Sequence, residues 1–129
     1  MKISRNRANG KKYEGELVKV FRARGIYARL GRSNEEADVI IPELDILLEC
    51  KSTSRKNFSI SLNRKTKDQF RRLHGLRSTV FYAVRYKGDG LAGWRFHSLP
   101  DSPCVLRRTE GWSLEEFIFL LRTEVSLNE

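Results

Sequence analysis

Three charged residues, Asp38, Glu49 and Lys51, sit in or at the edge of the apolar run ADVIIPELDILLECKS (37–52). Burying charge is costly unless the charge is paired or bound to a metal. In an extended strand, residues two apart share a face. Glu49 and Lys51 therefore project side by side, and Cys50 turns inward with Leu48 and Ile46. If the two halves of the run pair antiparallel about Pro42, Asp38 comes opposite the Glu49 end. Two carboxylates and an ammonium then converge at one edge of a sheet. Two carboxylates, completed by waters and phosphate oxygens, suit Mg²⁺. Such a cation polarises a phosphate and lowers the pKa of a bound water. The lysine positions or deprotonates that water, or balances charge on phosphorus. An exposed ion pair at a strand end is the plainer reading of Glu-x-Lys alone. The upstream Asp38, in a hairpin that would otherwise bury it, tips the balance towards chemistry.

The elements that must position these groups follow from periodicity. KYEGELVKVFRARG (12–25) predicts a helix, with Tyr13, Leu17, Val20 and Phe21 on its apolar stripe and Gly25 as its stop. Glu14 falls within that stripe and Glu16 on its flank. Gly15, costly inside a helix, is expected to let another backbone approach. IYARL (26–30), ADVII (37–41) and LDILLEC (44–50) predict strands, with Pro42 in the turn between the last two. FSISL (58–62) predicts a short strand. Residues 63–74 predict a helix with Phe70 and Leu73 inward and Gly75 as its stop. STVFYAVRY (78–86) and LAGWRFHSL (91–99) predict a hairpin around KGDG. Ser113 and Glu116 form a capping box for a last helix with Leu114, Phe117, Ile118 and Leu121 on its apolar face. That order predicts one α/β domain, a mixed β-sheet flanked by helices, over residues 13–129. Residues 1–12, basic and poor in apolar side chains, are expected to form a flexible arm.

Length and charge narrow the partners. A chain of 129 residues suits a single domain. Its 25 Lys and Arg against 16 Asp and Glu give a formal net charge of +9, which favours a polyanion. Nucleic acid is the first candidate and an acidic membrane surface the second. No apolar run reaches a membrane span, and no apolar stretch follows the basic N-terminus as in a secretory signal. Two cysteines, Cys50 and Cys104, make neither a disulfide framework nor a zinc site. An intracellular, soluble protein is expected, in the cytoplasm or at the nucleoid. His74 and His97 lack metal-ligand spacing, and no Ser/His/Asp set or phosphate-cradling glycine loop is present.

Asp38 followed by Glu49-Cys50-Lys51 resembles the acid, then acid-x-Lys motif of the restriction-endonuclease-like nucleases. Glu14 on a preceding helix, the polar loop GRSNEEAD (31–38) and Gln69 with Leu73, similar to a Q-x-x-x-L helix, extend the likeness. The full order resembles the archaeal-type Holliday junction resolvases, also carried by some viruses, from about Asn9 onwards. The resemblance implies a restriction-endonuclease-like fold and a homodimeric, Mg²⁺-dependent endonuclease acting on branched DNA, with Mn²⁺ expected to substitute. By position, it makes Glu14, Asp38 and Glu49 the metal carboxylates, Lys51 the catalytic lysine and Ser33 the loop serine near the scissile phosphate. The family commonly has Arg after the helix glutamate, where this chain has Gly15. It also has an Arg shortly before the loop serine, a role for which Arg29 and Arg32 both compete.

Phosphate contacts are expected from Arg5, Arg7, Lys11 and Lys12, from Arg29 and Arg32, and from the basic helix residues Arg64, Lys65, Lys67, Arg71 and Arg72. Gln69 is grouped with them, or hydrogen-bonds at the edge of the site. Two other functions are open: a repair or restriction-type nuclease acting on duplex, flap or single-stranded DNA, and a basic DNA-binding module without chemistry.

Overall fold

The computed structural model describes the backbone of residues 2–33, 35, 37–60 and 64–128, and among these the side chains of 12–33, 35, 37–60 and 67–124. Helix α1 spans Lys2–Ala23. Leu17, Val18 and Phe21 bury its apolar stripe. Gly25, two residues past its end, has a φ of 82°, the left-handed conformation a helix stop favours. The helix starts well before the apolar pattern does. Most of the basic segment read as an arm falls within the span of this helix. One expectation changes: among the described residues, a Cβ on Gly15 would meet nothing within 4 Å. No neighbouring backbone requires that glycine.

The strands are β1 (Arg29–Leu30), β2 (Val39–Ile41), β3 (Ile46–Thr53), β4 (Asn57–Ser59), β5 (Thr79–Tyr86), β6 (Trp94–Ser98), β7 (Val105–Arg107) and β8 (Trp112–Ser113). Helices α2 (Arg64–His74) and α3 (Leu114–Asn128) complete the fold. Six strands form one mixed sheet in the order β1-β2-β3-β5-β6-β8. Only β3 and β5 run parallel in it. A parallel pair needs a long crossover, and the segment carrying β4 and α2 supplies it. Of the expected FSISL strand, Phe58 and Ser59 belong to β4, which pairs antiparallel with β7 in a separate two-stranded ribbon, and residues 61 and 62 lie outside the described residues. The β2–β3 turn is a single 3-10 turn over Pro42–Leu44. Asp45 closes it in the left-handed region at φ 54°, and its carboxylate accepts from Ser78 Oγ at 2.6 Å, just ahead of β5.

Strand alternation divides the interior into two layers. Ile46, Leu48 and Cys50 face α1 and α3, packing with Leu17, Phe21, Phe96, Phe117 and Leu121. Leu47, Tyr82, Val84 and Tyr86 face the other side, against Phe70 and Leu73 of α2 and Phe58 and Leu106 of the ribbon. Burial on both faces explains the continuous apolar run in β3. Each fully buried large side chain contributes about 2 kcal/mol. The capping box of α3 forms in both directions: Ser113 N–H donates to Glu116 Oε1 at 3.0 Å, and Glu116 N–H to Ser113 Oγ at 3.1 Å.

Candidate active site

The register of β2 on β3 sets the site. Val39 pairs with Leu48, Ile40 with Leu47 and Ile41 with Ile46. One step further puts Asp38 opposite Glu49. There β2 stops while β3 continues to Thr53. Asp38 N–H still donates to Leu48 O at 3.1 Å. Its side chain then takes over the ladder: Oδ2 accepts the Cys50 N–H at 2.8 Å. The carboxylate is thus held by backbone at the point where the strand pair opens. Gly31 fixes the approach from the other side, donating its N–H to Asp38 O at 2.8 Å. A Cβ on Gly31 would collide with the Ala37 carbonyl, so only glycine lets the loop return this closely.

Glu49 is 6% exposed. Its Oε1 accepts from Gln69 Nε2 at 2.8 Å and lies 3.7 Å from the half-buried Lys51 ammonium. Burial, reinforced by the charge of Asp38 and more weakly Glu14, pushes the Glu49 carboxyl up to about 7, against the pull of Lys51 and Arg72. Cys50 points away into the α1–α3 layer. Burial foremost, then the nearby Asp38, Glu14 and Glu49, raise its thiol far above the ordinary range. It is a packing residue, not a nucleophile.

Hjc of Archaeoglobus fulgidus, a Holliday junction resolvase from an archaeal hyperthermophile, is similar in structure to this chain with a TM-score of 0.64. The likeness covers 86% of this chain and 96% of that one. The chain has the fold of a Holliday junction resolvase. Identity to Hjc is 14%, so the likeness is one of architecture. No protein-family model and no curated protein matches the sequence.

On this fold, Glu49, Lys51 and Gln69 meet through direct contacts, while Asp38, held by the Cys50 N–H, and Glu14 of α1 act on Glu49 through their charges. Ser33 is exposed on the loop after β1. Arg29 is committed to Glu35, which accepts from both guanidinium nitrogens at 2.6 and 2.7 Å. That pair and the Arg32 N–H hold the Glu35 carboxyl down at about 2. The Arg32 side chain is exposed. Lys12, Lys67, Arg71 and Arg72 are exposed too. The side chains of Arg5, Arg7, Lys11, Arg64 and Lys65 lie outside the described residues.

The sequence reading missed one positioning device. Arg85, 6% exposed on β5, is buried under α1. Its Nε donates to Glu16 Oε1 at 3.2 Å, and Trp94 Nε1 donates to the same oxygen at 3.0 Å. The Arg85 guanidinium lies 5.0 Å from the Tyr13 ring centroid. Gly93 is tight here, because a Cβ would strike the Tyr86 carbonyl. This pins α1 to the sheet between Tyr13 and Glu16, and so sets where Glu14 sits. The one sequence signal was an arginine inside the apolar run VFYAVRY.

Among the described residues, no group of three or more His, Cys, Asp and Glu is arranged as a metal cage. His74 Nε2 is hydrogen-bonded with Pro100 O at 2.7 Å, and His97 is buried on β6. The donor set at the site is oxygen only, from Asp38 and Glu49. That suits Mg²⁺, which keeps several waters and takes one or two carboxylates, and does not suit zinc.

Proposed function

We propose that this chain is a structure-specific endonuclease that resolves four-way DNA junctions by Mg²⁺-dependent phosphodiester hydrolysis, acting as a homodimer. The observation that carries the proposal is the meeting of Asp38, Glu49 and Lys51 at the open edge of β3, in a chain with the resolvase fold. Asp38 and Glu49, with Glu14 from α1, would hold the metal. Mg²⁺, or Mn²⁺ with similar oxygen ligands, supplies charge neutralisation at the phosphate and a more acidic water.

The chain's own groups do the rest. Cys50 N–H fixes one oxygen of Asp38 and Gln69 fixes one of Glu49, so each carboxylate keeps its remaining lone pairs for the site. Lys51, half-exposed beside Glu49, offers its ammonium to a phosphate oxygen and balances the charge that grows there. Arg32, Lys12, Lys67, Arg71 and Arg72 contact phosphates without reading bases, which suits recognition of shape.

A junction needs two matched nicks, and among the described residues each chain has one such cluster. A twofold dimer supplies two. The outer face of α3 is the surface we assign to the second copy. Phe119 is 70% exposed and Leu120 41%, beside a groove floored by Trp112, Phe81 and Ile46.

The test separates chemistry from binding. Asp38→Asn keeps an oxygen for the Cys50 N–H but loses the charge. It and Lys51→Ala should each abolish junction cleavage while junction affinity in EDTA stays within about threefold, since affinity comes mainly from phosphates. Cleavage by Asp38→Asn at the wild-type rate would remove this site from the chemistry.

A further inference from the structure

Beyond the active site, β3 leads into a second basic surface. Three loops meet past its C-terminal end: the β3–β4 loop with Arg55 and Lys56, the β5–β6 turn with Lys87, and the end of β7 with Arg107 and Arg108. Their meeting is built, not incidental. Lys87 N–H donates to Thr53 O at 3.0 Å. Tyr86 Oη donates to Leu106 O at 2.9 Å. Asn57 pairs with Arg107 across the ribbon. Within the first loop, Arg55 N–H donates to Thr53 Oγ1 at 3.0 Å.

The charges on this ridge are unevenly matched. Arg108 is ion-paired with Asp89, and Arg107 with Glu110 at 3.6 Å. Those acids are thereby used. Arg55, Lys56 and Lys87 are exposed and have no acidic partner among the described residues. Like charges gathered with no acid between them repel, so a polyanion is the partner that relieves them. The site and the ridge are also close. Arg55 follows Lys51 by four positions, at most about 14 Å of extended chain. One DNA strand presents a phosphate every 3.4 Å or so along the duplex axis, so roughly four phosphates span that distance.

We propose that Arg55, Lys56 and Lys87 form a phosphate-binding ridge that carries the duplex arm running away from the scissile phosphate, past the C-terminal end of β3. The assignment of an arm rests on the nuclease reading above. The ridge requires duplex DNA backbone and no base contact. It adds a surface on the ribbon side of the sheet, distinct from the α1 and α2 residues named so far.

The experiment measures affinity against salt, from 50 to 200 mM in EDTA, for a labelled four-way junction and a linear duplex. Wild type is compared with Arg55→Ala/Lys56→Ala/Lys87→Ala and with the charge-keeping Arg55→Lys/Lys56→Arg/Lys87→Arg. Each lost contact should flatten the slope of log affinity against log salt by about 0.9. The alanine variant should therefore lose roughly two to three units of slope on both DNAs, and the charge-keeping variant should retain the wild-type slope. An alanine variant with an unchanged slope and an unchanged melting temperature overturns the ridge. The two readings fail separately. Junction cleavage by wild type with no slope change in the alanine variant keeps the nuclease and removes the ridge. A slope change with no cleavage of either DNA keeps the ridge and removes the nuclease.

Discussion

Gln69 donates its side-chain amide to Glu49 Oε1 at 2.8 Å, across 20 positions of sequence. The contact ties Gln69 to the carboxylate, and we propose that it acts there as a positioning residue. A hydrogen bond to a charged group is worth about 1.5–3 kcal/mol, which is roughly ten- to a hundredfold in rate. Gln69→Leu should lower kcat on junction DNA by about that factor. Junction affinity in EDTA should change less than about twofold. A weakened affinity with kcat intact would return Gln69 to the phosphate contacts.

Glu49 also makes a stability prediction. Its folded carboxyl is pushed up to about 7 by burial and by Asp38, above the unfolded value near 4.3. Between those values the folded state binds more protons than the unfolded one, so stability falls as pH rises through about 7. The loss is on the order of 3 kcal/mol. Metal-free wild type should melt lower at pH 8.5 than at pH 5.5. Glu49→Gln should remove most of that slope and be the more stable protein at pH 8.5. Equal slopes in the two proteins would mean that Glu49 is already ionised in the fold.

The α1 anchor is testable by denaturation. Glu16→Ala leaves the buried Arg85 without its carboxylate, and breaking such a pair costs about 3 kcal/mol. A joint Glu16→Leu/Arg85→Met replacement, which removes both charges, should recover most of that loss. If urea midpoints show the single variant as stable as wild type, the pair does not hold α1.

Phe119 tests the dimer. Wild type should sediment at about twice the 15.0 kDa chain mass. Phe119→Asp places a charge on the outer face of α3 and should shift the protein towards monomer. A wild type that is monomeric at micromolar concentration contradicts the dimer.

The pairing of Asp38 with Glu49 was legible because it is local. Pro42 marks the turn, and strand alternation on either side brings the two carboxylates together. The capping box of Ser113 and Glu116 is equally local. The non-local features were not legible. β7 and β8 are three and two residues long, too short to show a period, and the partner of β4 lies beyond two intervening strands. Arg85 reads as an oddity until Glu16, 69 positions away, is seen beside it. The bidentate pairing of Arg29 with Glu35 is likewise revealed by no spacing rule. The early start of α1 had no apolar stripe to announce it.

The most direct test of the central claim is cleavage of a labelled immobile four-way junction beside a linear duplex of the same sequence, with and without Mg²⁺. Paired nicks in opposing strands of the junction, yielding ligatable duplexes, are the predicted result, with cleavage lost in EDTA and the linear duplex cut far more slowly. Cleavage of the linear duplex as fast as the junction would contradict resolution and leave a general nuclease, whereas no cleavage of either with Mg²⁺ would leave only a DNA-binding module.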